Sequence, residues 1–320
     1  RPAKVTVITD SEEDNNYVRE LALKNKEEAP LKLKGHTVHF DSPLDQARDK
    51  ANTKYLLSKE VDWGLNINYI LKDEGLPEIR SFLDGIMEGK EMLISFFSLG
   101  PTNSPFSLRA MQITDSAYVT HSEKILYRSG YEEFKRLEGS DDFFYFLHSA
   151  GRLVNNVTAD IDKRRIYIDL EENRVYTVNN QYAGNSVGLK KLAFRLAIQK
   201  AQREDWLAEH MFLMGVRGKP GRTTYFTGAF PSACGKTSTA MLPGQTIVGD
   251  DIAYLRKIDG QMRAVNVEKG IFGIIQDVNP DDDPLIYDAL TTPREVIFSN
   301  VLVSDDTPYW LGMRQEPPAK

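Results

Sequence analysis

Phe230-Pro-Ser-Ala-Cys-Gly-Lys-Thr237 contains the only cysteine of the chain, Cys234, and reads as a phosphate-binding loop. A β-prone run, Thr223-Thr-Tyr-Phe-Thr-Gly-Ala-Phe230, leads into it, and Ser238-Thr-Ala-Met-Leu242 can continue as a helix. Strand, loop and helix in that order turn several backbone N–H groups and the positive end of a helix dipole toward one point. Lys236 can reach β/γ-phosphates, and Thr237 can offer a hydroxyl to a divalent ion. The loop departs from G-x-x-x-x-G-K-[ST] at Phe230, and Pro231 removes one backbone donor. A bare Gly-Lys-Thr is more often chance. The strand before it and the helix after it reverse that reading and imply a nucleoside polyphosphate with its metal.

Thr246-Ile-Val-Gly-Asp-Asp251 follows closely. An isolated Asp-Asp pair is usually a solvated turn. At the end of a β-prone run just after a phosphate loop, it is where such folds hold Mg²⁺ or Mn²⁺.

Composition narrows the class. The chain has 320 residues, 41% apolar and 27% charged, enough for two domains with substantial cores. A net charge of −6 without a basic run argues against a nucleic-acid partner. One cysteine excludes an internal disulfide framework and predicts a reducing, cytoplasmic setting. No apolar run has the length of a membrane span, and residues 1–20 lack a signal-peptide core. The start at Arg1-Pro2 without Met suggests a trimmed terminus.

Outward from the loop, residues 4–9 and 36–40 read as strands, and Asp10 or Ser11 can cap a helix through Leu23. Residues 41–62, with Arg48, read as loop-like. Helical spacing occupies 79–87, and 91–98 reads as a buried strand stopped by Gly100-Pro101. Residues 141–148 are apolar and packed. Residues 165–170 and 174–178 form a predicted hairpin, and Leu189 to Arg203 a predicted amphipathic helix with apolar residues at 192, 193, 196 and 197. His210 to Val216 reads as a strand, 252–267 as a hairpin around Asp259-Gly260, and 279–284 as an acidic loop. The main boundary falls near 205, giving a mixed α/β substrate domain over 1–205 and the first part of a nucleotide-binding P-loop domain over 206–320.

With these motifs, the chain resembles the GTP-dependent phosphoenolpyruvate carboxykinases. The resemblance runs in order through Pro43-Leu-Asp-Gln-Ala-Arg48, Gln112-Ile-Thr-Asp-Ser-Ala-Tyr118, Tyr182-Ala-Gly-Asn-Ser186, Leu189-Lys-Lys191, Trp206-Leu-Ala-Glu-His210, Ala229 to Thr237, Val248-Gly-Asp-Asp-Ile-Ala253 and Asn266-Val-Glu-Lys-Gly-Ile-Phe-Gly273. It also accounts for the missing first glycine, since the family departs there too. The reaction it implies is oxaloacetate plus GTP giving phosphoenolpyruvate, GDP and CO₂, in gluconeogenic or anaplerotic metabolism. Decarboxylation leaves an enolate, which takes the γ-phosphoryl group.

By this resemblance, Lys191, His210 and Asp251 bind the active-site Mn²⁺. From bare sequence Lys191 is a solvated helix lysine and His210 a packed core histidine. A lysine must be neutral to ligate, which a nearby cation and burial favour. Arg48 falls at the substrate-carboxylate arginine. Tyr182, Ala183 and Gly184 match the substrate-contacting segment, although the family commonly has glycine where Ala183 stands. Ser232 meets substrate. Ala233, Cys234, Gly235, Lys236, Thr237 and Ser238 wrap the phosphates with their own Mg²⁺ or Mn²⁺, and Asp250 orients water on that second metal. Lys190 and Lys236 are the cations for transferring charge. Cys234 is the family's reactive active-site thiol, favoured as thiolate by a helix N-terminus and Lys236. Its expected role is to shape the loop.

Family members are markedly longer, and the guanine-stacking aromatics and lid have no counterpart here. The chain therefore reads as a fragment. A monomer with no nucleic-acid or membrane partner is expected. The alternatives are a relative using ATP or pyrophosphate, and a non-catalytic nucleotide-binding remnant.

Overall fold

The computed structural model describes residues 1–42, 49–62, 66–181, 190–231 and 234–318. β1 (Lys4–Ile8) leads into α1 (Glu12–Lys24). The Ser11 hydroxyl caps α1 by accepting from the Asp14 backbone N–H, and three acidic residues occupy its first turn. β2 (His36–His39), β3 (Thr53–Leu57) and β4 (Tyr69–Leu71) precede α2 (Lys72–Leu83). The helix predicted over 79–87 is thus displaced toward the N-terminus. It stops at Asp84, where Gly85 turns the chain at a φ of 70°, a conformation that glycine adopts without steric cost.

β5 (Glu91–Leu99), β6 (Leu108–Thr114), α3 (Ala117–Leu126), β7 (Phe144–Ser149), β8 (Arg165–Asp169) and β9 (Arg174–Val178) follow. They build one mixed sheet in the order β1-β5-β6-β7-β9-β8-β3-β4, with a short strand at Arg128–Ser129 beside β5. β5 runs antiparallel to β6 and β8 to β9; the other neighbours are parallel. The expected 165–178 hairpin is β8–β9, with Ile168 opposite Val175. The apolar 141–148 segment supplies β7, slotted between β6 and β9.

Alternation along β8 and β9 serves both faces. Tyr167, Tyr176 and Val178 pack with Ile79 of α2, while Ile166, Ile168 and Val175 face the main core. Over that core lies α4 (Lys191–Glu204), burying Leu192, Ala193, Leu196, Ala197 and Ala201. Each of its buried leucines contributes on the order of 2 kcal/mol. The same cluster continues into Trp206, Ile252, Tyr254 and Val267, so one apolar core spans both sides of residue 205.

Beyond α4 come β10 (Leu207–Glu209), β11 (Phe212–Arg217), β12 (Thr223–Gly228), α5 (Lys236–Ala240), β13 (Thr246–Gly249), β14 (Ala253–Ile258) and β15 (Gln261–Asn266). β12-β11-β13 form one antiparallel sheet and β10-β14-β15 another. The hairpin expected at Asp259-Gly260 is β14–β15, with both turn residues at positive φ. After the acidic loop, Pro284 opens α6 (Pro284–Thr291). β16 (Val296–Ser299) returns to pair in parallel with β2, joining the two ends of the chain. The whole is mixed α/β, with a large N-terminal sheet followed by a strand–loop–helix phosphate-loop unit. No helix among the described residues is long and apolar enough to cross a membrane.

Candidate active site

Strand pairing assembles the site. β11 and β13 are antiparallel with Leu213 opposite Gly249, so the start of one lies beside the end of the other. His210 precedes β11 and Asp250-Asp251 follow β13. The register slips between Leu213 and Met214, a bulge that locally re-aims the strand ends. α4 begins at Lys191, bringing Lys190 and Lys191 to the same place, and α5 begins at Lys236 after Gly235, whose φ is 80°.

Asp251 is the hub. Its Oδ1 lies 2.5 Å from His210 Nε2 and accepts a hydrogen bond from the Lys236 ammonium. Its Oδ2 is 2.9 Å from Lys190 Nζ and 3.8 Å from Lys191 Nζ. Lys191 Nζ is 3.2 Å from His210 Nε2. The Thr237 hydroxyl donates to Asp250 Oδ2 at 3.2 Å, and the Ser238 hydroxyl to Asp283 at 2.8 Å. The Phe194 ring flanks His210 with centroids 6.3 Å apart.

The electrostatics follow from this crowding. Burial alone would raise the Asp251 carboxyl, but the His210 hydrogen bond, the Lys190 charge and the Lys236 hydrogen bond hold it far below the carboxylate range. Burial lowers Lys191, and the neighbouring Lys190 and Lys236 charges add to the effect against the pull of Asp251. Burial raises Asp250. Burial would lower Lys190 as well, yet Glu268 and Asp251 hold its ammonium above the ordinary lysine range.

Of the residues singled out in the sequence, Lys190, Lys191, His210, Lys236, Thr237, Asp250 and Asp251 come together. Lys190, read as a cation for transferring charge, has its ammonium enclosed between Asp251 and Glu268. Cys234 is exposed. Arg48, Tyr182, Ala183, Gly184, Ser232 and Ala233 lie outside the described residues. Sequence reasoning gave no role to Glu268. It lies within the matched Asn266–Gly273 stretch, but only the β14–β15 pairing brings it back to Asp251.

The donor set suits a divalent cation. An imidazole nitrogen, a carboxylate oxygen and a lysine nitrogen made easier to deprotonate converge, and nitrogen and oxygen donors of this kind accept Mn²⁺. Among the described residues no cluster of three His, Cys, Asp or Glu side chains is built to hold a metal, so a set here requires the lysine. Fold and site together define a P-loop protein with lysines, a histidine and paired carboxylates gathered beside its phosphate loop.

The comparisons narrow this class to one family. Residues 1–202 match the family model described as phosphoenolpyruvate carboxykinase N-terminal domain, and residues 206–320 match phosphoenolpyruvate carboxykinase C-terminal P-loop domain. Relatives named phosphoenolpyruvate carboxykinase (GTP) from Pyrococcus horikoshii, Pyrococcus abyssi and Thermococcus kodakarensis are each 59% identical over 99% of this chain. The alignments cover 51%, 52% and 51% of those relatives. The chain belongs to the phosphoenolpyruvate carboxykinase family and spans about half the length of the curated relatives it matches.

Proposed function

We propose that this chain carries the metal and phosphate-binding machinery of a GTP-dependent phosphoenolpyruvate carboxykinase, which converts oxaloacetate and GTP to phosphoenolpyruvate, GDP and CO₂. The observation that carries the reading is the meeting of Lys191, His210 and Lys236 at the single carboxylate of Asp251. It couples a cation centre to the phosphate loop, as decarboxylation followed by phosphoryl transfer requires.

In this proposal Lys191, His210 and Asp251 hold Mn²⁺, which when bound supplies Lewis acidity toward an enolate oxygen. Lys236 and the 233–238 loop cradle the triphosphate, with Thr237 and Asp250 serving its own Mg²⁺ or Mn²⁺. Lys190 acts through Asp251. Arg48, Tyr182, Ala183, Gly184 and Ser232 bind the dicarboxylate, and Cys234 shapes the loop. Residues 1–205 form the substrate domain and 206–320 the first part of the nucleotide domain, a division supported by the matched ranges. The proposed setting is a cytoplasmic monomer.

The test is phosphoenolpyruvate formation from oxaloacetate with Mn²⁺ in the native protein, comparing GTP, ATP and pyrophosphate. Product with GTP alone is the expected result. Product with another donor changes the nucleotide class, and none with any donor removes the enzymatic reading.

A further inference from the structure

Glu268 is 1% exposed, and a buried carboxylate is costly unless paired. Its Oε1 is 2.7 Å from the Lys190 ammonium, itself only 3% exposed. Among the described residues, no group donates a well-directed hydrogen bond to either Glu268 oxygen. The Lys190 ammonium therefore lies between Glu268 and Asp251 Oδ2, with the Phe272 ring 5.8 Å away.

The backbone around Glu268 is pinned on both sides. Val267 N–H donates to Ile252 O at 3.3 Å, and Lys269 and Gly270 N–H groups donate to Leu126 O at 2.7 and 3.0 Å. The Asn266 side chain donates to Glu268 O at 2.6 Å. Glu268 thus sits on a rigid frame, one side chain removed from Asp251. It also adds negative charge: with Lys191 neutral as a ligand, Lys190 and Lys236 face Asp250, Asp251 and Glu268. Without it, two lysines would face two carboxylates, and the site would lose the net negative charge that attracts a divalent cation.

We propose that Glu268 is a positioning residue for the cation centre. It fixes and neutralises Lys190 so that this ammonium holds Asp251 Oδ2 without competing with a metal ion for the carboxylate, and Oδ1 stays turned toward His210. The inference rests on the metal reading above and extends it to a residue outside the ligand set.

The experiment is Mn²⁺ binding to the native protein, read from the free-ion electron paramagnetic resonance signal, with circular dichroism to confirm folding. Glu268→Gln keeps the volume and removes the charge, and should weaken Mn²⁺ by about tenfold or more, the scale of outer-residue effects on metal sites. Lys190→Met added to Glu268→Gln should recover much of that loss, because the unpaired ammonium is what competes for Asp251. A merely structural defect would not be repaired this way. Where Glu268→Gln does not fold, Glu268→Asp carries the comparison, and tight binding is expected because the charge is kept. Parent-like binding by Glu268→Gln, a double variant no better than the single, or weak binding by a folded Glu268→Asp would each overturn the inference. Asp251→Asn separates the two levels: if it binds Mn²⁺ like the parent, the metal reading fails first and this inference falls with it.

Discussion

His210 Nε2 and Asp251 Oδ1 lie 2.5 Å apart although 41 residues separate them in sequence. The contact is a product of register. β11 and β13 run antiparallel with a bulge at Leu213/Met214, so the residue entering one strand meets the residue leaving the other. Both side chains stand on sheet ends, and α4 brings Lys191 to within 3.2 Å of the same imidazole. Sites built on strand and helix ends are held more rigidly than sites on long loops.

Replacing either Lys191 or His210 by Ala should therefore cost Mn²⁺ affinity at least as much as an outer residue does, about 100-fold. GTP affinity should stay close to that of the parent, because neither side chain belongs to the phosphate loop, where Lys236 and Thr237 remain in place. Calorimetric titration with each ligand reads both quantities. Undiminished Mn²⁺ binding by both variants would show that the ligands are elsewhere.

Cys234 is exposed and lies immediately before Gly235, whose positive φ opens α5. A side chain there is a matter of space rather than chemistry. Carbamidomethylation should lower GTP affinity by about tenfold or more, since the added group would project into the space the triphosphate is proposed to occupy. Cys234→Ala should bind GTP normally, and bound GTP should slow the alkylation. Loss of GTP binding in Cys234→Ala would instead assign the thiol a direct role.

Gly249 ends β13 immediately before Asp250. A Cβ there would lie 2.2 Å from Asn266 Oδ1 and 2.3 Å from its Cγ. Asn266 also holds the Glu268 carbonyl. Gly249→Ala should thus cost about 1–3 kcal/mol of stability and disturb both Asp251 and Glu268. Denaturant unfolding together with Mn²⁺ titration checks this. A variant as stable as the parent, with unchanged Mn²⁺ affinity, would mean that Asn266 moves aside freely.

Elements whose pattern is local were legible in the sequence. The phosphate loop is one; α4 is another, since its apolar period survives as the buried stripe 192, 193, 196, 197. The β8–β9 and β14–β15 hairpins also declared themselves through their turns. α3 did not, because its buried face includes Thr120, His121, Glu123 and Lys124, which no apolar period reveals. His121 meets Glu28 and Glu295, and Lys124 reaches the Thr9 carbonyl, all far away in sequence. The β2–β16 pair is hidden for the same reason, as its partners come from opposite ends of the chain. In the site, the phosphate loop and Asp pair were visible as motifs. Lys191 and His210 needed the family resemblance, and Glu268 needed the folded structure. A lone carboxylate after a hairpin looks solvated until pairing buries it.

The buried face of α3 gives the last prediction. His121 donates or accepts at both nitrogens, with Nδ1 2.8 Å from Glu28 and Nε2 3.0 Å from Glu295. Burial alone would lower the imidazole, but hydrogen bonds to the two carboxylates raise it to about 9. The folded value lies above the unfolded one near 6.5, so the folded state binds the extra proton. The stabilisation is therefore complete below about pH 6.5 and lost as pH rises through about 9, amounting to about 3 kcal/mol. Lys124, on the same helix, works the other way: burial lowers it to about 8, so its penalty is relieved above that pH. The informative quantity is the difference between parent and His121→Gln in denaturant midpoint at pH 6, 8 and 10. That difference should be largest at pH 6 and shrink toward pH 10, since both proteins share Lys124. A constant difference would mean that His121 contributes by packing and not by charge.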